Sequence, residues 1–94
     1  MIDVEKLVAH WRNGALSSWE DGMYLLEGKR VMLGMFAVHL ALEKALKAHV
    51  IRHTGSLPPK IHNLLRLSEI ANLDVGIEHR KVLAEINDFN IEGR

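Results

Sequence analysis

Residues 31–53 read VMLGMFAVHLALEKALKAHVIRH, and this stretch decides the fold. It is the longest helix-compatible run in the chain and the most apolar. It holds no Pro, and its only Gly is Gly34, near its start. Ala, Leu, Lys, Glu and Met dominate it, all strong helix formers. At 100° per residue it has two unequal faces. The larger carries Met32, Leu33, Met35, Phe36, Leu40, Leu46, Val50 and Ile51. The other carries Gly34, Ala37, Ala41, Ala45 and Ala48, small enough for a neighbouring backbone to come close. A helix apolar most of the way round is buried in a bundle.

His39, Glu43 and Lys47 interrupt the large face in a single row at i, i+4 and i+8. Phe36, Leu46 and Val50 flank this row. A buried charge is costly unless paired and hydrogen-bonded. Glu43 can serve Lys47 one turn on and His39 one turn back. Two readings are open: a polar stripe that satisfies itself, or the floor of a functional cleft.

Ninety-four residues suffice for one domain. A single helical core is feasible at that size but not generous. Twelve basic and twelve acidic residues cancel, which removes any global electrostatic footprint for nucleic acid. A local patch remains open, because Lys44, Lys47, Arg52, His53 and Lys60 lie close in sequence. No Cys is present, which excludes disulfide and thiolate chemistry. The N-terminal MIDVEKLVAHWR lacks the pattern of a signal peptide. The apolar run 31–42 is too short to span a bilayer. The expectation is a soluble cytoplasmic protein.

A first helix is expected over 4–26, N-capped by Asp3. Val4, Leu7, Val8, Trp11, Ala15, Trp19, Leu25 and Leu26 form its stripe, with the two Trp as core anchors. Gly22 lies on that stripe and fits close approach of a partner helix, while Glu20 and Asp21 face water. Gly28 ends the helix, and the short 28–30 turn makes the next helix return antiparallel. Residues 54–59, TGSLPP, stop helix two. A short third helix follows over 62–71, and a fourth over 75–90 with Asp74 as its cap. Val82, Leu83, Ile86 and Phe89 supply the fourth helix's buried stripe. The expected fold is an all-α, antiparallel up-and-down bundle of four helices.

Other chemistry finds little support in the residues. His49 and His53 have the spacing of paired metal ligands, with His62 as a third. There is no HExxH and no carboxylate at ligand spacing on that face, and the helix dipole alone favours His49 where it is. No metal or cofactor is assigned. Neither a phosphate loop nor a GxSxG elbow occurs. Acid–base candidates are Glu43 and the histidines, without a placed nucleophile. His62 opens the third helix directly after Pro58-Pro59. With Lys60 it is placed to hold a phosphate at a helix start; the other reading is that it caps helix three or packs on helix two.

Trp11, Ala15 and Asp21, then FAVHLALEKALKAHV (36–50), then Gly55-x-x-Pro58-Pro59-Lys60-x-His62-Asn63-Leu64 together resemble the HEPN (higher eukaryotes and prokaryotes nucleotide-binding) domain. The family shows an aromatic near the start of helix two, a run like hxxxEKxLKA, and a PPxxHDL start to the next helix. Phe36, Glu43-Lys44-x-x-Lys47-Ala48 and 58–64 match these, with Asn63 in place of the usual acid. The resemblance covers nearly the whole chain, over a single domain 1–94.

This resemblance implies a helical bundle that commonly dimerises and associates with nucleotides or RNA. It also implies pairing with a minimal nucleotidyltransferase in a toxin–antitoxin-like couple. Members that cut RNA carry an Arg followed a few residues later by His. No Arg here has a His four to six positions after it. Residues 90–94, NIEGR, resemble the approach to the family's RYP segment, which introduces a final helix. Three readings of that end stay open: a shortened member lacking this helix, a cleaved or incompletely covered chain, and an artificial end through the protease site Ile-Glu-Gly-Arg.

The leading expectation is therefore a HEPN domain that binds a nucleotide or RNA, as a homodimer and with a nucleotidyltransferase partner. His39, Glu43, Lys47, Lys60, His62 and Arg94 are expected to line the cleft. Lys and Arg would meet phosphate, and Glu43 would orient the bases. The rival is a non-catalytic helical adaptor or dimerisation module, whose Gly34/Ala37/Ala41/Ala45/Ala48 face packs on another helix. A ribonuclease toxin would need catalytic residues beyond Arg94.

Overall fold

A computed structural model describes residues 2–90. Four helices follow in order: α1 (Val4–Glu27), α2 (Val31–Thr54), α3 (Leu64–Ile70) and α4 (Gly76–Asn87). The expected all-helical architecture holds, but the helices are unequal. α1 and α2 form a long antiparallel hairpin, and the short α3–α4 unit packs on α2 and on itself.

Local chemistry sets most of the boundaries. The Asp3 carboxylate accepts the Lys6 N–H at 3.1 Å and starts α1. Gly55 takes a left-handed φ of 69° and donates its N–H to Ile51 O, ending α2. Between α1 and α2 the expected role of Gly28 passes to its neighbour. Gly28 has an ordinary φ of −80°, whereas Lys29 sits at φ 63°. The left-handed residue must follow the last carbonyls that need closing, and here Lys29 and Arg30 donate to Leu26 and Leu25.

The third helix is shorter than the sequence suggests. It begins at Leu64, not His62, because Pro58-Pro59 keeps the chain extended and Asn63 (φ −76°, ψ 112°) is the cap. The fourth begins at Gly76 and ends at Asn87 rather than running over 75–90. Asp74 still accepts the Gly76 N–H, at 3.2 Å.

Two different packings meet on α2. Toward α1 the contact is made by small residues. Ala15, Ser18 and Gly22 are the buried positions of α1. A Cβ on Gly22 would lie 3.1 Å from Val38, and one on Gly34 would lie 2.8 Å from Leu26. The helix axes are therefore close, and large side chains are pushed to the flanks. This corrects three expectations. Trp19 is 46 % exposed rather than a core anchor, and Met32 and Leu33 are exposed too. The small face of α2 is largely used inside the chain, with Gly34, Ala37, Ala41 and Ala48 buried.

Toward α3 and α4 the packing is conventional. Leu46, Val50, Leu64, Leu67, Ala71 and Leu83 form the core cluster. Leu64 and Leu67 are fully buried, each contributing about 1.5–3 kcal/mol of hydrophobic stabilisation. Leu83 is the buried residue of α4, whereas Val82 is 48 % exposed. A helix of only three turns lies on α2 along one narrow line, so Val82 falls beside the seam.

Candidate functional site

The row His39-Glu43-Lys47 lies on α2 where α1 and the α2–α3 loop close over it. Burial is nearly complete: His39 is 0 %, Glu43 5 % and Lys47 6 % exposed. Lys47 donates from Nζ to Glu43 Oε2 at 3.0 Å. Its ammonium also lies 5.4 Å from the centroid of the Trp11 ring, within cation–π range. Trp11, singled out as core, thus provides one wall of the Lys47 pocket.

The loop supplies the fourth member. After Gly55 the chain turns back along α2, with Thr54 Oγ1 donating to Val50 O and accepting from Ser56 N–H. Pro58-Pro59 stiffens the return. Ile61 packs against the core cluster, which fixes the loop in place. His62 then sets Nδ1 at 3.0 Å from both Glu43 carboxylate oxygens. This contact to a carboxylate fixes the orientation of the ring. The His62 side chain is 36 % exposed, so the cluster meets solvent through it.

His39 is the anomaly in this network. Its Nδ1 lies 3.7 Å from Glu43 Oε1, and neither ring nitrogen completes a hydrogen bond. Burial pushes its pKa below the usual 6.5. The Glu43 carboxylate and the nearby His62 backbone oppose that shift, and the His62 ring adds to it. The result is a neutral imidazole at pH 7, fully buried beside the Glu43 carboxylate.

Four of the six expected site residues therefore converge: His39, Glu43, Lys47 and His62. Lys60, two residues from His62, is exposed and makes no ion pair or hydrogen bond among the described residues. Arg94 lies outside the described residues. Lys47 is held by Glu43 and Trp11, so no phosphate reaches it in this conformation. At the start of α3, two backbone N–H groups are already taken. Asn63 takes the Arg66 N–H at 3.1 Å, and Asn87 of α4 takes the Leu64 N–H at 2.9 Å. Asn87 Nδ2 in turn donates to Asn63 Oδ1 at 3.2 Å. Asn63, where the family has an acid, keeps the capping function.

The His49–His53 pair does not meet His62, which is turned to Glu43. Among the described residues no group of three His, Cys, Asp or Glu side chains is placed to hold a metal ion. Two contacts had no signal in the sequence. Lys44 donates to Ser18 Oγ at 2.9 Å across the hairpin, and Asn87 reaches back to the start of α3. Both join residues more than twenty positions apart, beyond any periodicity.

An all-helical hairpin with a short two-helix unit, pinned by one buried carboxylate, is the class of domain defined here. The HEPN domain family matches residues 8–94, and the chain belongs to that family. No curated protein and no solved structure gives a significant match. Membership supports, in general terms, a nucleotide- or RNA-related or toxin–antitoxin-type role. Among the described residues no helix is long and apolar enough to cross a membrane.

Proposed function

We propose that this HEPN domain binds a nucleotide or RNA at the mouth formed by His62 and Lys60. In this reading it acts as a homodimer and as one half of a toxin–antitoxin-like pair with a minimal nucleotidyltransferase. The observation that carries it is the 3.0 Å pairing of His62 with the buried Glu43. A half-exposed imidazole is held in one orientation by a carboxylate that is itself buried and paired. Lys60 offers an exposed ammonium to phosphate beside it. Glu43 orients His62 rather than touching the ligand, and His39 and Lys47 support Glu43 from beneath. Arg94 is a further contact in this proposal.

The test is a thermal melt of the purified chain with a panel of nucleotides and short RNAs, repeated for His62→Ala and Lys60→Ala. A ligand at a hundred times its Kd adds about 2.7 kcal/mol to stability. A rise in midpoint with one ligand class, lost in both variants, is expected. No rise with any ligand would overturn the proposal.

The adaptor reading has one observation in its favour. Leu16, Trp19 and Val82 are 57, 46 and 48 % exposed, more apolar surface than the hairpin itself can bury. The melt separates the two readings, because an adaptor gains nothing from nucleotides.

A further inference from the structure

One carboxylate in this fold serves three basic side chains. Glu43 Oε2 accepts from Lys47 at 3.0 Å. His62 Nδ1 lies 3.0 Å from both oxygens, and His39 Nδ1 lies 3.7 Å from Oε1. While His39 is neutral, the buried carboxylate and the buried ammonium balance. A proton on His39 adds a second buried cation with no second anion to meet it, which is costly.

We propose that the α2–α3 loop is a latch released by acid: a proton on His39 draws Glu43 away from His62, and the loop lifts off α2. Position decides which group yields. His39 and Lys47 are both buried and both stand on α2, so neither can leave without unwinding that helix. His62 stands outside any helix, two residues before Leu64 opens α3, and its side chain is already 36 % exposed. It can exchange Glu43 for water. The other hold on the loop is Ile61 against the core cluster. The seam between α1 and α2 is built from Ala15, Ser18 and Gly22 against α2, without the loop. The hairpin can therefore persist while the loop opens, as local unfolding units do.

His39 has few neighbours that could take its charge. Among the described residues, the titratable groups around it are Glu43 on its own helix and His62 on the loop, with Lys47 behind Glu43. α1 brings the Trp11 ring to Lys47, and its Glu5 is paired with Arg52. On α3, Arg66 and Glu69 pair with each other. A proton on His62 acts in the opposite sense, because it strengthens the contact with Glu43. His39 is thus the trigger and His62 the part that moves. Burial holds the His39 pKa below 6.5 while the loop is shut, and hydration on opening relieves that shift. The open form binds the proton more tightly, so acid favours it. Release would take apart the mouth of His62 and Lys60, but the inference does not rest on the nucleotide reading, and its test uses no nucleotide.

The chain has no Cys, so a single introduced thiol reports local opening. Ile61→Cys probes the loop, and Ser18→Cys, buried on α1, probes the hairpin. Each is labelled with a dipyridyl disulfide, which reacts in acid, and the rate is divided by that of the same chain in urea. From pH 7.5 to 5.5, the Ile61→Cys ratio is expected to rise by up to about tenfold, the limit for one proton with an open-form pKa of 6.5. The Ser18→Cys ratio should change less than twofold, and His39→Gln should remove the rise at Ile61→Cys. In the unsubstituted chain, the His39 ring resonance should titrate together with those of loop residues 60–62, a readout that needs no variant to fold. An equal rise at both thiols would mean that acid unfolds the whole chain and would overturn the latch. So would no rise at Ile61→Cys, a rise that survives His39→Gln, or a His39 midpoint different from that of the loop.

Discussion

His62 holds its Nδ1 3.0 Å from both carboxylate oxygens of Glu43, a residue nineteen positions earlier on another element. One carboxylate thereby joins the α2–α3 loop to the floor of the hairpin. The same carboxylate neutralises Lys47 from the other side. Stability and site geometry are thus tied to a single side chain.

Removing that carboxylate strands a buried ammonium. Glu43→Ala is expected to destabilise the fold by about 3–5 kcal/mol, the usual cost of breaking a buried pair. Glu43→Gln, which keeps a hydrogen-bond acceptor, should cost less. The double change Glu43→Leu with Lys47→Met should cost less than the sum of its parts. Urea denaturation of the set measures the coupling.

His39 makes stability depend on pH. Its folded pKa lies below its unfolded value of 6.5. The unfolded chain therefore binds the proton more readily, and protonation favours unfolding. This contribution is complete above pH 6.5 and is lost as pH falls through the lowered folded value. Melting temperature should drop between pH 7.5 and 5.5, and the drop should be smaller in His39→Phe. An unchanged slope in that variant would remove His39 as the cause.

Lys29 occupies the left-handed region at φ 63°. A side chain there costs about 1–2 kcal/mol. Lys29→Gly is expected to recover part of this, raising the melting temperature by about 4–8 °C per kcal/mol in a domain of this size. Differential scanning calorimetry reads the shift directly.

Two glycines should respond in opposite directions. A Cβ at Gly34 would lie 2.8 Å from Leu26 Cγ and 3.2 Å from Leu26 N. The backbone contact cannot move aside, so Gly34→Ala should destabilise by about 1–3 kcal/mol. At Gly14 the nearest atom is Lys44 Cδ, at 3.3 Å on a flexible side chain. Gly14→Ala should therefore gain some of the roughly 1 kcal/mol that Ala offers a helix interior. Chemical denaturation of the two variants side by side gives both signs.

The paired caps on α3 should fail together. Asn63→Ala and Asn87→Ala each remove an acceptor from the first turn, at a cost of about 1 kcal/mol. Because Asn87 also donates to Asn63, their effects should not add. A double-mutant cycle in urea measures the coupling.

Helix content was legible in the sequence because it is set by near neighbours. Periodicity, Asp3, Gly55 and the Pro pair act within one or two turns of the backbone they control. The Lys47–Glu43 contact was legible for the same reason, being one turn of α2. The family pattern around Glu43 and His62 also marks both residues in the sequence.

Tertiary structure decided the rest. Which α1 residues face α2 depends on how closely the helices approach. That approach is set by Gly22 and Gly34 on two different helices, so the small residues took the seam and Trp19 moved outward. The meeting of His62 with Glu43 depends on where the loop lands, and the loop is anchored by Ile61 in a core that α4 completes. Burial then turned Lys47 from a candidate phosphate contact into a structural cation. A side chain's charge is written in the sequence, but its access to solvent belongs to the packing around it.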